Sequence, residues 1–498
     1  MKLVDREQMQ EIDRYSIEEV GIPSMVLMER AACKIAEAIQ AHFSECKRIL
    51  AICGTGNNGG DGICAMRILE EKGYPGDILL LGNPEQASTE CKNQLQIADA
   101  CGIAVYTAED VEHGKISLDG YDLFVDAMFG IGLSRAVTGD FADWIKRINE
   151  LRDEGDVKVL AVDIPSGVNA SDGRVSGAAV HADMTVTFGY GKIGLYLYPG
   201  KAYAGTVLVE DIGFPRIACD KIPADTFTWQ PGEMVLPERR ADGHKGSFGR
   251  VLVIAGGEHM AGACVLAVKA AYRSGAGLVE VLTLPENVPV LQSTVPEAVI
   301  VMENGDEISH LKKADAVIIG PGMGVNSRTR QLLKTVLENG ECPVVLDADA
   351  LNVLAEDKLS VLENTDTSRL VMTPHVLEMA RLAGVEKSQI MDDLWGSAKE
   401  FVRKYELTLV LKSASTIVCS GGRTYINTTG NSGMGTGGSG DTLSGIIGGF
   451  LAQGMNMADA AMRGVYVHGK AGDWAVAHGN NAYSLMAGDL VEALQHVM

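Results

Sequence analysis

The sequence lacks long apolar runs: no segment approaches the roughly 18 unbroken apolar residues of a membrane span, and its polar, acidic opening, MKLVDREQMQEIDRYSIEEV, has no signal-peptide core. A cytoplasmic protein with no membrane partner is expected. Positive charge is also short, since 43 basic against 65 acidic residues leave a net charge of -22. That balance excludes a broad nucleic-acid or anionic-membrane surface. Anionic ligands then need local sites, which backbone N–H groups at helix N-termini can build without net charge. The ten cysteines include no C-x-x-C pair, which excludes a metal or redox site of that type and predicts buried thiols. Tandem repeats and low-complexity segments are missing too, so solenoid and fibrous architectures drop out.

What is present is a balance of 46% hydrophobic and 22% charged residues over 498 positions, which suits two large folded domains. Leu27, Ala31, Ile35 and Ile39 mark an opening helix by their four-residue spacing. Apolar runs at 48–53, 77–81, 122–126, 157–163, 184–188 and 206–210 then alternate with helix-length stretches. Runs apolar on both faces suit a parallel sheet covered on both sides, so the first domain is expected to be α/β, Rossmann-like and three-layered. The stretch 215–245, with Pro223, Pro231, Pro237 and the pair Arg239 and Arg240, predicts a linker. The alternation restarts at 250–255, 278–283, 298–302, 316–320, 344–347, 370–373 and 407–411, a second α/β domain. The expected boundaries are 1–220 and 228–498.

In the first domain a strand runs into Gly54, Thr55, Gly56, Asn57, Asn58, Gly59, Gly60, Asp61 and Gly62, with a helix expected over 63–72. Glycines there let a backbone approach an anion, but the next strand ends in Leu80, Leu81 and Gly82 rather than the acid that holds a ribose in a standard dinucleotide site. An ordinary dehydrogenase is therefore disfavoured, and a tight turn with no ligand stays open. Asp126 and Asp163 close two further strands at the edge where such sheets bind ligands; each alone could be only a helix cap.

In the second domain the run from Gly430 through Ser432, Gly433, Gly435, Gly437, Gly438 and Gly440 to Asp441 precedes a helix expected over 442–452. Successive N–H groups and the helix dipole make such a run an anion hole. At its edge Asp441 is placed to take a proton from a hydroxyl attacking a nucleotide phosphate, or merely to cap the helix. Strand ends also carry Gly320, Gly322 and Gly324; Asp347, Asp349 and Asn352; Thr373, Pro374, His375 and Glu378; and Lys412. Taken singly, His375 reads as a helix-start residue and Lys412 as a solvated charge.

Asn57 to Gly62, Asp126 with Gly130 and Gly132, and Asp163, Ile164, Pro165, Ser166 and Gly167 resemble the three signatures of the NAD(P)H-hydrate epimerase family over about residues 1–220. The resemblance implies that Asn57, Asn58, Gly59, Gly60 and Asp61, with Gly130, Ile131, Gly132, Leu133, Ser134, Arg135 and Ala136, hold the hydrate. Asp163 would act near the reacting ring as acid and then base, and Asn58, Asp126 and Ser166 would hold a potassium ion. The second domain resembles the ADP-dependent NAD(P)H-hydrate dehydratases, a branch of the ribokinase-like fold. That implies a hydrate site of Ala263, Gly324, His375 and Asp441, with Asp441 as base. It also implies an adenine-nucleotide site of Lys412, Ser413, Ala414, Ser415, Thr416 and Gly440, and magnesium with Glu378 as ligand or water-holder. Together these imply a bifunctional NAD(P)H-hydrate repair enzyme, taking small-molecule substrates and forming a homo-oligomer. Ser432 and Gly435 depart from the usual proline and alanine and loosen the loop. Two rival readings remain: a ribokinase-like kinase for a small alcohol, and a first domain that only binds.

Overall fold

In the computed structural model, which describes every residue except Ser134, Asp156 and Asn304, the apolar runs of the first half become parallel strands. These are β1 (Ile49–Cys53), β2 (Gly76–Leu80), β3 (Val105–Thr107), β4 (Leu123–Ala127), β5 (Lys158–Val162), β6 (Met184–Phe188) and β7 (Thr206–Glu210). They form one 7-stranded sheet in the order β3-β2-β1-β4-β5-β6-β7. Along β1, Ile49, Ala51 and Cys53 enter one core while Leu50 and Ile52 enter another. Both faces are buried, which is why the run shows no polar alternation. Helix α1 (Arg6–Arg14) precedes the sheet, and α2 (Ser24–His42) lays Leu27, Ala31, Ile35 and Ile39 into the first core. Burying the leucine and isoleucine side chains among these contributes about 1.5–3 kcal/mol each.

Helix α3 (Asn57–Glu71) starts six positions earlier than the sequence suggests. Glycines weigh against helix by about 1 kcal/mol each, but here close packing demands them. A Cβ on Gly59 would lie 1.8 Å from the Gly54 carbonyl oxygen, and one on Gly62 2.6 Å from the Ala127 Cβ.

The second half carries β8 (Arg250–Ile254), β9 (Leu278–Leu282), β10 (Val299–Val301), β11 (Ala316–Ile319), β12 (Val344–Leu346), β13 (Leu370–Met372) and β14 (Thr408–Leu411). Their order is β10-β9-β8-β11-β12-β13-β14, all parallel. An antiparallel hairpin, β15 (Ile417–Ser420) and β16 (Arg423–Ile426), extends this sheet. The helices that matter for the site are α4 (Ala261–Arg273), α5 (Val376–Ala383), α6 (Ser439–Ala452) and α7 (Met457–Ala477).

The chain divides into two compact units, Met1–Thr226 and Phe227–Met498, so the expected linker is not free chain. Its first part holds a helix, Arg216–Lys221, whose Ala218 packs with Val4, Met9 and Ile12. Its later part places Phe227, Trp229, Met234 and Leu236 against the second core. The prolines end elements there, but the apolar residues between them still find cores.

Candidate active sites

The strand order of the first unit reverses between β1 and β4, and a crevice opens beyond strand ends at such a point. The cleft found there measures about 1070 Å³. Asn57, Asn58, Asp61, Gly130, Ile131, Gly132, Leu133, Arg135 and Asp163 line it. Gly59, Gly60 and Ala136 are absent from its wall, and Ser134 lies outside the described residues. Gly60 serves packing, since a Cβ there would lie 2.7 Å from the Met28 side chain. Most glycines of the turn are thus dictated by contacts within the protein, while Gly56 faces open space.

Asp163 follows β5 with a φ of 64°, a left-handed conformation costly for a non-glycine residue. Its Oδ1 accepts from Lys192 Nζ at 2.6 Å, from Thr187 Oγ1 at 3.1 Å and from the Phe188 N–H at 3.3 Å. Lys192, in the two-residue strand Gly191–Lys192, is 1% exposed. Its ammonium also donates to Thr187 Oγ1 at 2.9 Å and the Phe188 carbonyl at 2.8 Å, so its three protons are all used. Sequence reasoning missed this lysine: an isolated Lys carries no sign of burial.

Asp126 and Ser166 lie beneath the cleft wall, buried together. Ser166 donates to Asp126 through Oγ at 2.6 Å and N–H at 2.8 Å, and receives the Phe129 N–H at 2.9 Å. Burial pushes the Asp126 carboxyl up to about 6 against those hydrogen bonds. Among the described residues no cationic side chain is paired with it. Asn58 stands beside Gly130, and its Nδ2 is buried without a partner among the described residues; reversing the amide would turn an oxygen that way. These donors fit a hard monovalent cation, which would supply the missing countercharge.

In the second unit the ends of β12, β13 and β14 meet. Lys412 N–H donates to the Pro374 carbonyl at 2.8 Å, and Lys412 Nζ reaches Asp347 Oδ1 at 2.8 Å. The other Asp347 oxygen accepts from Ser444 Oγ of α6 at 2.6 Å. A Cβ on Gly440 would lie 3.1 Å from that ammonium, a tight contact, so glycine there gives Lys412 room beside the start of α6. Burial opposes charge on Lys412, but Asp347, Glu378 and Asp441 outweigh it and raise its pKa. Lys412 is therefore a paired, partly buried ammonium rather than a solvated surface charge.

Helix α6 starts at Ser439, earlier than expected, so Gly440 and Asp441 lie in its first turn, where N–H groups have no intrahelical acceptor. Burial, then Asp347, raise the Asp441 carboxyl to about 7, with Lys412 acting against them. The glycine loop is tied from α7: Asp473 accepts from the Gly430 N–H at 2.9 Å and from Asn431 Nδ2 at 3.2 Å. His468, buried on α7, sits 3.3 Å from Ser439 Oγ.

His375 is the N-cap of α5, its Nδ1 accepting from the Leu377 and Glu378 N–H groups at 3.1 and 3.2 Å. One Glu378 oxygen completes the capping box from the His375 N–H at 2.8 Å. Gly324 donates its N–H to Asp349 at 2.7 Å, and Ala263 abuts Gly322. Ser413, Ala414, Ser415 and Thr416 form a self-bonded turn, with Ser413 Oγ donating to the Ser415 carbonyl at 2.7 Å; Ser415 itself is buried. Among the described residues no group of three or more His, Cys, Asp or Glu can hold a metal, so Glu378 has no partners for a magnesium cage.

Fold and sites define an α/β enzyme of two units, the second ribokinase-like. A solved ribokinase-like superfamily protein from Enterococcus faecalis V583 is 32% identical over 55% of this chain and 95% of its own, with a TM-score of 0.51. Residues 24–194 match the YjeF-related protein N-terminus family and residues 251–496 the NAD(P)H-hydrate dehydratase family. A bifunctional NAD(P)H-hydrate repair enzyme of Moorella thermoacetica is 38% identical, over 100% of this chain and 97% of that protein. One from Coxiella burnetii is 36% identical over 99% and 98%. The chain belongs to the bifunctional NAD(P)H-hydrate repair enzyme family.

Proposed function

We propose that this enzyme repairs hydrated NADH and NADPH, with residues 1–220 interconverting the R and S hydrates and residues 228–498 dehydrating the S hydrate at the expense of ADP. The observation that carries the reading is Asp441, a carboxyl whose pKa is raised to about 7 at the N-terminus of α6, beside the partly buried Lys412. A base with a pKa near the working pH takes a proton most effectively. Asp441 accepts the proton of the ring hydroxyl as the hydroxyl oxygen bonds to the β-phosphorus of ADP, releasing AMP. The phosphate then leaves with its electron pair, and loss of a ring proton restores the dihydropyridine.

The first-turn N–H groups of α6 and the Lys412 ammonium face the charge that develops on the phosphoryl group. Ala263, Gly324 and His375 shape the hydrate site, and the turn from Ser413 to Thr416 with Gly440 meets the nucleotide. Magnesium would arrive with the nucleotide, whose phosphates supply most of its ligands. In the first unit Asp163 acts on the ring, the cleft residues from Asn57 to Asp61 and from Gly130 to Arg135 meet the rest of the hydrate, and Asn58, Asp126 and Ser166 would hold potassium. Free thiols throughout the described chain suit a reducing, cytoplasmic setting.

Incubation with S NADH hydrate, ADP and magnesium tests the reading: NADH, AMP and phosphate should appear in equal amounts. Phosphorylation of a small alcohol by ATP, with no NADH formed from the hydrate, would overturn it.

A further inference from the structure

Epimerisation through a ring cation needs a proton delivered to the departing hydroxyl and another taken from the incoming water. Inversion also requires water to arrive on the face the hydroxyl did not leave. A single carboxylate serves both roles only by reaching both faces. Asp163 is poorly placed for that, because its Oδ1 is held by Lys192, Thr187 and the Phe188 N–H.

A second carboxyl stands in the same cleft. Asp13, on α1, lines it together with Asp61, Asp163 and Lys192. Helix α1 is held in place by a capping box, in which Asp5 accepts from the Gln8 N–H at 2.8 Å and Gln8 Oε1 accepts from the Asp5 N–H at 3.0 Å. Its Met9 and Ile12 are buried beneath. Asp13 makes no hydrogen bond among the described residues, so its carboxyl is free to meet a ligand. Its neighbour Arg14 is committed to Glu11 and Glu18.

We propose that Asp13 is a second acid–base residue of the epimerisation site, working with Asp163. This rests on the epimerase activity proposed above. The Asp13 proton passes to the ring hydroxyl, the carbon–oxygen bond breaks, and water leaves while the ring nitrogen's electron pair stabilises the cation. Another water adds to the same carbon and yields its proton to Asp163; the reverse reaction exchanges the two roles, and solvent in the cleft returns the proton.

The electrostatics agree with a proton donor. Burial, then Asp163, raise the Asp13 pKa, Lys192 opposes them, and Glu90 adds to the rise. Asp61 from α3 is raised by burial, Asp163 and Asp13 in the same way. A donor must be protonated, so the Asp13 limb of the rate falls as pH rises.

The test follows R and S NADH hydrate interconversion without ADP, from pH 5 to 9, in the full-length protein and its Asp13→Asn and Asp13→Glu variants, with the melting temperature of each. Asp13→Asn should slow turnover about 100-fold, keep KM within about threefold and lose the alkaline limb, while Asp13→Glu recovers much of the rate. Asp13→Asn turnover within about threefold of the parent, with the parent's pH profile, would overturn the proposal. So would a loss that Glu does not rescue and that accompanies a lowered melting temperature. A parent protein that does not epimerise would instead overturn the proposed activity itself, and Asp13's role with it.

Discussion

Asp163 directly follows a strand of the first unit and Asp441 lies in the first turn of a helix of the second, and their surroundings differ as well. Asp163 is clamped by a buried ammonium at 2.6 Å and held in a left-handed backbone conformation. Asp441 makes no hydrogen bond through its carboxyl among the described residues, and its cation, Lys412, is bound to Asp347 instead. One carboxylate is tied directly to the cation beside it. The other is left near neutrality, free to gain and lose a proton. The same residue type is thus given different surroundings by where its nearest cation is bound.

That contrast can be broken most sharply at Asp441. Asp441→Asn should reduce NADH formation from the S hydrate by about 10²–10⁴-fold, the usual worth of a general base, while R and S interconversion continues at the parent rate. Next comes Lys192→Met, which strands Asp163 as a buried unpaired charge. It should destabilise the first unit by about 3–5 kcal/mol, read by denaturant unfolding of that unit, with no change in the second.

The pH dependence separates the sites further. Because Asp441 must be ionised to accept a proton and its pKa is about 7, dehydration should slow as pH falls below that value. Asp347→Asn removes a negative neighbour and should move this limb to lower pH, as seen in kcat profiles. A smaller effect is expected from Asp473→Ala, which removes the acceptor for the Gly430 N–H. The KM for ADP should rise about fivefold, the equivalent of one hydrogen bond near 1 kcal/mol. That tie also offsets the looseness of Ser432 and Gly435. Smallest, replacing sodium by potassium should raise the melting temperature of the first unit by about 2–4 °C, and Asp126→Asn should abolish the rise.

Strand positions were legible because strands buried on both faces read as apolar runs, and β6 and β7 match their expected spans. The short β3, whose Val105 is exposed, gave no such run. The hairpin of β15 and β16 was missed although Gly421 and Gly422, both at positive φ, are a turn signal that could have revealed it. Helix starts were placed late at Asn57 and Ser439 because glycine propensity was weighed without the packing that requires glycine there. At the sites, the sequence pointed to residues inside motifs but not to the side chains packed against them. Lys192, Asp13, Ser444 and Asp473 are distant in sequence from the groups they serve, and only the fold brings them together. His375 shows the opposite limit: its bonds are those of the helix-start residue it reads as when taken singly.

The central claim is that both units act on one substrate, and a single incubation addresses it. The purified protein is given a mixture of R and S NADH hydrate with ADP, magnesium and potassium, while NADH absorbance and epimer composition are followed together. Complete consumption of both epimers, faster than their spontaneous interconversion, with NADH and AMP formed in equal amounts, is the predicted result. Consumption of the S hydrate alone, leaving R to decay at its uncatalysed rate, would contradict it.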